Sequence, residues 1–273
     1  MDSKARFEPR PLGRTGRVVG PLGLAASFGV GETGVLEAFE RGVRYFYWGS
    51  LRRGSFGRGL REVLKKGREQ STVVIQTYTR IGMLMGPSVR RALRKLDTDH
   101  ADVLLLGWWN STPPQRILDA AQRLKDAGTV KHIALSTHER PLVAELATSQ
   151  YEVFHMRYNA AHRGAEKEIF PHIPEARDSR PGIIAFTATR WGQLCARPKG
   201  LDPSVPVPTA GDCYRFCLSD RHVDVALCGA RNDQDVKDAL DNLDKGPMTP
   251  EEIAWMKTVG DAVRARATNL RDR

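Results

Sequence analysis

Long hydrophobic runs are absent from this sequence. The longest, such as 101–109, are half of the roughly 20 residues that a membrane-spanning helix needs. A helical membrane protein is excluded, and no membrane partner is expected. The first residues, Met1-Asp-Ser-Lys-Ala-Arg6, carry no apolar stretch of signal-peptide type, so a cytoplasmic location is expected. Cysteine is scarce. Cys195, Cys213, Cys217 and Cys228 are the four, and no two form a Cys-x-x-Cys pair. Without a secretory signal, reduced thiols are the default and a zinc site is not expected. Zinc-finger spacing, a basic zipper and an aromatic RNA-binding strand pair are missing. So are a Gly-x-Ser-x-Gly elbow, a Walker loop and a His-Glu-x-x-His motif.

Acidic residues are outnumbered, with 32 Asp and Glu against 42 Lys and Arg for a formal charge of +10. The basic residues are spread along the chain, with modest clusters at Arg52-Arg53, 90–95 and 264–273. That distribution fits solvated helix faces first and a small anionic ligand, such as a phosphorylated cofactor, second. Nucleic acid is not an expected partner. Apolar residues make up 41% of the chain, enough for a core, and disorder is excluded as the main state.

The chain alternates short apolar runs with amphipathic stretches. Eight runs, at 21–26, 45–48, 72–79, 101–108, 130–137, 153–158, 182–189 and 223–230, are near-continuously apolar, as parallel strands covered on both faces are. Helical patterns lie between them, at 34–42, 57–67, 88–96, 114–128, 141–149, 165–175, 210–218 and 233–243. Gly42, Gly67, Gly128 and Gly246 stand where helix C-terminal caps belong. A ninth helix, from Thr249 to about Ala267, opens with Thr-Pro-Glu-Glu. Thr249 can cap it, Pro250 suits its first position, and the two Glu complement its dipole. Before the first run, Gly13-Arg-Thr-Gly16 reads as the turn of a hairpin that would plug a barrel's bottom. Eight strand–helix units predict an α/β fold of the (β/α)8 TIM-barrel kind, with an N-terminal hairpin and an extra C-terminal helix, as one domain over 1–273. A doubly wound sheet would need a Gly-x-Gly-x-x-Gly turn, and the glycines of 27–34 lack that spacing. In a barrel, ligands bind at the carboxyl ends of the strands.

Several segments together resemble the aldo-keto reductases. They are Arg10-Pro-Leu-Gly-Arg-Thr-Gly16, the stretch 96–106, the stretch 124–136, Arg157-Tyr-Asn-Ala-Ala-His-Arg163 and Gly229-Ala-Arg-Asn-Asp-Gln-Asp-Val236. They occur in the family's order over nearly the whole chain. The resemblance implies a barrel that binds NADP(H) and reduces the carbonyls of small-molecule substrates by hydride transfer. It also marks a departure. The family's Asp, Tyr, Lys and His tetrad falls on Tyr47, on Arg52 or Arg53, on Tyr78 and on Gly107. Hydride addition to a carbonyl builds an alkoxide that needs a proton or a stabilising charge. Tyr78, Tyr47, Arg52 and His138 are therefore the candidates for chemistry. The other reading is that Tyr47, Tyr78, Trp48 and Trp108 only fill the vacated space.

For the cofactor, the resemblance implies phosphate contacts at Gly229, Arg231, Asn232 and Gln234, at the start of a helix. The bland alternative there is an ordinary helix start capped by Asn232. Phe186 would stack on nicotinamide, Ser136, Thr137 and His155 would meet its carboxamide, and Arg190 would meet the pyrophosphate. His162 and Glu166 are four apart, but two ligands are too few for a metal. Three functions stay open: an oxidoreductase with an atypical site that reduces imines or activated alkenes, an NADPH-holding protein without turnover, and a non-redox enzyme using the barrel mouth. The loop at 109–114 is short, as is the tail Asp272-Arg273. An open mouth lined by aromatic and arginine side chains is expected, on a monomer or weak homo-oligomer.

Overall fold

The computed structural model describes residues 6–49 and 51–266. A hairpin of β1 (Arg10–Pro11) and β2 (Val18–Val19) comes first. Eight strands follow: β3 (Leu22–Ala25), β4 (Tyr45–Trp48), β5 (Thr72–Thr77), β6 (Ala101–Leu106), β7 (Val130–Thr137), β8 (Val153–Arg157), β9 (Gly182–Phe186) and β10 (Val225–Cys228). They pair in parallel and in chain order, and β10 pairs back to β3 to close the barrel. The helices outside are α1 (Glu32–Glu40), α2 (Gly54–Gly67), α3 (Gly82–Leu96), α4 (Gln115–Asp126), α5 (Arg140–Leu146), α6 (Ala165–Glu168), α7 (Ala210–Leu218), α8 (Asp233–Leu243) and α9 (Pro250–Arg264). The fold is the (β/α)8 barrel that the alternation predicts. No helix among the described residues is long and apolar enough to cross a membrane.

The strands are apolar throughout because they serve two cores. Residues at alternate positions, among them Tyr45, Tyr47, Val74, Val103, Leu105, Ala134, Val153, Ile184 and Val225, pack together inside the barrel. Their neighbours Phe46, Trp48, Val73, Ile75, Leu104, Leu135, Phe154 and Ile183 join the cluster under the helices. The hairpin closes the bottom. Leu12 and Val19 join the inner cluster. Arg14 donates to the Ser179 and Tyr151 carbonyls at 2.6 and 2.8 Å, and to that of Ser149. Gly13 has φ +45, and a Cβ there would stand 2.2 Å from the Gly182 nitrogen, so only glycine fits.

Several boundaries differ from the sequence pattern for identifiable reasons. The runs over 72–79, 101–108 and 182–189 overshoot their strands, which end at Thr77, Leu106 and Phe186. Trp108 and Thr187 adopt positive φ and turn the chain out of the ladder. Gly67 is not a cap. It ends α2 from within and lets Phe39 approach, since a Cβ would meet the Phe39 ring at 2.6 Å. The helix expected over 165–175 stops at Glu168 and continues only as a 3₁₀ turn, Phe170–His172, where Pro171 cannot supply an N–H to an α-helix. Thr249 caps α9 in a full capping box with Glu252. Ala267 and the tail Asp272-Arg273 lie outside the described residues.

Candidate active site at the barrel mouth

The carboxyl ends of the eight strands share one face. Of the nine large apolar side chains exposed among the described residues, all but Val18 lie in the segments that follow those ends. Phe28 follows β3, Leu51 follows β4, and Tyr78, Ile81, Met83 and Leu84 follow β5. Trp108 follows β6 and Trp191 follows β9. Four of the five non-glycine residues at positive φ, Trp108, Thr187, Arg190 and Trp191, lie there too. An apolar rim with a strained backbone marks a face shaped for contact.

Inside the rim, Trp108, His138 and Phe186 form a row. The His138 ring meets Trp108 at 5.8 Å and Phe186 at 5.4 Å, edge to face in both cases. Burial holds the His138 pKa below its ordinary value, with Arg157 adding to the effect against Glu139. Its Nδ1 is buried without a hydrogen-bond partner among the described residues, as is Gln76 Oε1. Ser136 is half-buried and stands on β7 opposite His155.

The four candidates for chemistry are not equivalent. Tyr78 is 48% exposed. Tyr47 is buried inside the barrel and folds over Gly49, where a Cβ would fall 1.8 Å from the Tyr47 ring. Arg52 donates to the Gln76 carbonyl at 2.9 Å and the Trp48 carbonyl at 3.4 Å. Burial lowers its pKa, and Tyr47 counters part of that. Arg80 is tied to the Tyr78, Gly107 and Trp108 carbonyls and stacks on Trp109 at 3.8 Å, so it braces the loop around Tyr78. At Gly107, a Cβ would stand 2.2 Å from Gln76 Nε2 and 2.9 Å from the Tyr78 ring. Gln76 and Tyr78 thus occupy the space where a side chain at 107 would project. Gln76 was not among the candidates in the sequence; its polarity within an apolar strand is the signal that could have found it.

The segment after β10 starts α8 as a capped helix. Asn232 Oδ1 accepts from the Asp235 N–H at 2.8 Å. Arg231 is 81% exposed and pairs with Asp235 at 2.9 Å, a contact that raises its pKa. Gln234 donates to Asp238 along the helix surface. Gly229 lies under Phe28, whose ring a Cβ would meet at 2.5 Å. Asp233 was not anticipated. Its carboxylate accepts from the Gly31 and Gly34 N–H groups at 2.6 and 3.1 Å, so α8 caps α1.

Three expected contacts point elsewhere. Thr137 is buried, and its hydroxyl accepts from the Glu139 N–H at 2.9 Å. His155 lies a layer below the mouth, hydrogen-bonded through Nε2 to the Tyr45 hydroxyl at 2.6 Å. Arg190 is 1% exposed, with its guanidinium on His162 and on Gln193 Oε1. His162 is thus a buried partner of Arg190, and Glu166 accepts from the Tyr158 hydroxyl at 2.9 Å. Among the described residues no group of three or more His, Cys, Asp or Glu side chains is placed to hold a metal ion.

A sequence model of the Aldo/keto reductase family matches residues 53–194. Among curated proteins, the chain is 29% identical over 118 residues to an aldo-keto reductase of Aspergillus calidoustus. It is 26% identical over 118 residues to norsolorinic acid reductase B of Dothistroma septosporum. Each alignment takes in 40% of this chain and 29% of the relative, so the chain spans less than a third of those relatives. Among solved structures, an aldo-keto reductase of Bacillus halodurans superposes with a TM-score of 0.76 in its holo form and 0.74 in its apo form. Identity is 20%, and the match covers 93% of this chain and 96% of the other; this likeness is one of fold. The family match over more than half of the sequence, on a barrel of that fold, makes this chain a member of the aldo/keto reductase family.

Proposed function

We propose that the chain is an NADP(H)-dependent oxidoreductase with an atypical site, acting on imines or activated alkenes rather than simple carbonyls. The observation that carries this reading is the mouth itself. The exposed apolar side chains gather there, around the Phe186 ring and two buried polar atoms that have no hydrogen-bond partner among the described residues, Gln76 Oε1 and His138 Nδ1. These residues fit a nicotinamide, which offers a flat ring and a carboxamide with both donors and an acceptor. Ser136 and Phe186 are the contacts assigned to it. Thr137 and His155 are left out, because their polar atoms are engaged elsewhere.

Arg231 fits a phosphate. Among the described residues its ion pair is a surface one, to Asp235 in the first turn of α8, and such pairs are weak enough to exchange for a stronger anion. Gly229, Asn232 and Gln234 complete that end, beside the positive end of α8. When bound, NADPH supplies the hydride. The chain's own residues hold and orient it, and the open rim admits the substrate and water. An iminium ion needs no proton at the reacting carbon or nitrogen, and an activated alkene takes its proton from solvent or from the exposed Tyr78 phenol. Neither reaction demands the strong acid that a carbonyl would need.

A second reading, an NADPH-holding protein without turnover, is favoured by one observation. Gln76 and Tyr78 fill the space above Gly107, as packing residues would. Fluorescence titration with NADPH tests both readings. Wild-type protein is expected to bind, and Arg231→Ala to bind roughly tenfold more weakly, the loss of about one charge-assisted contact. Absence of NADPH affinity would overturn both. Turnover of imines or enones by the wild type then selects the first reading, and binding without any turnover selects the second.

A further inference from the structure

The segment leaving β9 brings two thiols together. Cys195 closes the 3₁₀ turn Gln193–Cys195, and Cys213 lies in the first half of α7. They are 18 positions apart in sequence, and their sulfurs are 4.0 Å apart. Cys195 is half-buried and Cys213 is buried. The other two cysteines turn elsewhere. The Cys217 thiol donates to the Tyr158 carbonyl at 3.2 Å, and Cys228 is buried against Tyr214. One reachable thiol therefore touches one sheltered thiol.

We propose that Cys195 and Cys213 are a redox-modification site, closed by hydroperoxides into a reversible intramolecular disulfide that fastens the loop 196–209 to the barrel flank. The Cys195 sulfur attacks a peroxide oxygen. With Cys195 as thiolate, the O–O bond breaks, hydroxide departs (an alkoxide from an organic hydroperoxide), and Cys195 becomes a sulfenic acid. The Cys213 sulfur then attacks the Cys195 sulfur. The S–S bond forms, the S–O bond breaks, and the thiol proton of Cys213 leaves with the hydroxyl as water. Two cysteines have lost two electrons and the peroxide has gained them.

The surroundings suit both roles. The hydrogen bond from Cys213 lowers the Cys195 pKa, against burial and Asp212, and Arg231 assists. The same contact and burial hold Cys213 well above the ordinary thiol range. Cys195 is thus the thiol that ionises and attacks first. A disulfide needs its sulfurs at about 2.05 Å. The loop beyond Cys195, with Pro198, Gly200, Pro203, Pro206 and Pro208, holds no helix or strand before α7, so it can yield without breaking an element. The site stands on this geometry alone and is independent of the cofactor reading.

The test uses the reduced 273-residue chain treated with near-stoichiometric hydrogen peroxide. Two of its four thiols are expected to disappear, with loss of two hydrogen atoms in the intact mass and no dimer. Tryptic cleavage after the exposed Lys199 is expected to leave two peptides joined through Cys195 and Cys213, and dithiothreitol to separate them. Cys195→Ser should keep its remaining thiols, and Cys217→Ser should still lose two. The peptide map needs no variant, so a misfolded mutant cannot blunt it. Recovery of Cys195 as a sulfinic acid beside a free Cys213, a linkage between any other pair, or four unreacted thiols would overturn the proposal.

Discussion

Tyr45 and His155 meet inside the barrel, one layer below the mouth, and share a buried hydrogen bond of 2.6 Å. Burial lowers the His155 pKa to about 3. It also lowers that of His162 to about 3, with the arginines around it contributing. Both rings are therefore neutral when folded. His162 accepts from Arg190 in that state. Below pH 6.5, the ordinary value, the unfolded chain binds protons that the folded chain refuses until about pH 3. Stability is expected to fall as the pH drops through that window, by roughly 1 kcal/mol per pH unit for each ring. Denaturant melts at pH 7, 6 and 5 measure the slope, and His155→Gln, which can still pair with Tyr45, should flatten it. A slope unchanged by that substitution would exclude His155 as a source. At this scale the sequence was partly legible. Asn232 as the cap of α8 could be read from the sequence. The burial of Arg190 could not, because it depends on a left-handed turn at φ +49 and on a histidine 28 positions away.

Among the elements, a helix start was readable where its cap is local in sequence; α3, expected from 88, starts at Gly82 and carries Pro87 inside it. Thr249 and Pro250 take the cap and first positions that the sequence predicts for α9, and Glu252, expected only to complement the dipole, also closes a capping box, a device local in sequence. The α1 start is the opposite case. Its cap residue is Gly31, which brings no side chain, and the acceptor comes from Asp233, about 200 positions on. Asp233→Ala is expected to cost about 0.5–2 kcal/mol, the range for loss of a cap. Hydrogen exchange should then rise in the first turn of α1 and leave the capped start of α9 unchanged. Equal loosening at both helices would mean that the carboxylate acts in some other way. Because Asp233 adjoins Arg231 and Asn232, the candidate phosphate segment is also the brace between α8 and α1.

At the scale of the whole molecule, the barrel has a closed bottom and a contact-shaped top. Leu12 is fully buried where the hairpin enters the inner core. Leu12→Ala is expected to cost roughly 2–5 kcal/mol, as cavities in tight cores do. The measurement is a thermal or urea melt, and a loss below that range would mean that the hairpin relaxes into the gap. The top is where the formal charge of +10 finds part of its use. Arg52 and Arg80 brace mouth loops through backbone carbonyls, and Arg231 stands exposed at the rim of α8.

The sequence by itself determined the eight apolar runs, most of the helices between them, the capped start of α9 and the ordered set of family segments. These are legible because strand burial, helix periodicity and capping are set by near neighbours. Only the tertiary structure decided which polar residues face the mouth. Closure of the barrel sends alternate side chains to opposite faces and fixes their height. That puts Ser136 and Phe186 at the rim, drops His155 one layer down, turns Thr137 outward and buries Arg190. The pairing of Cys195 with Cys213 was equally hidden, since a loop of irregular backbone separates them and only the packing of α7 brings the two sulfurs together.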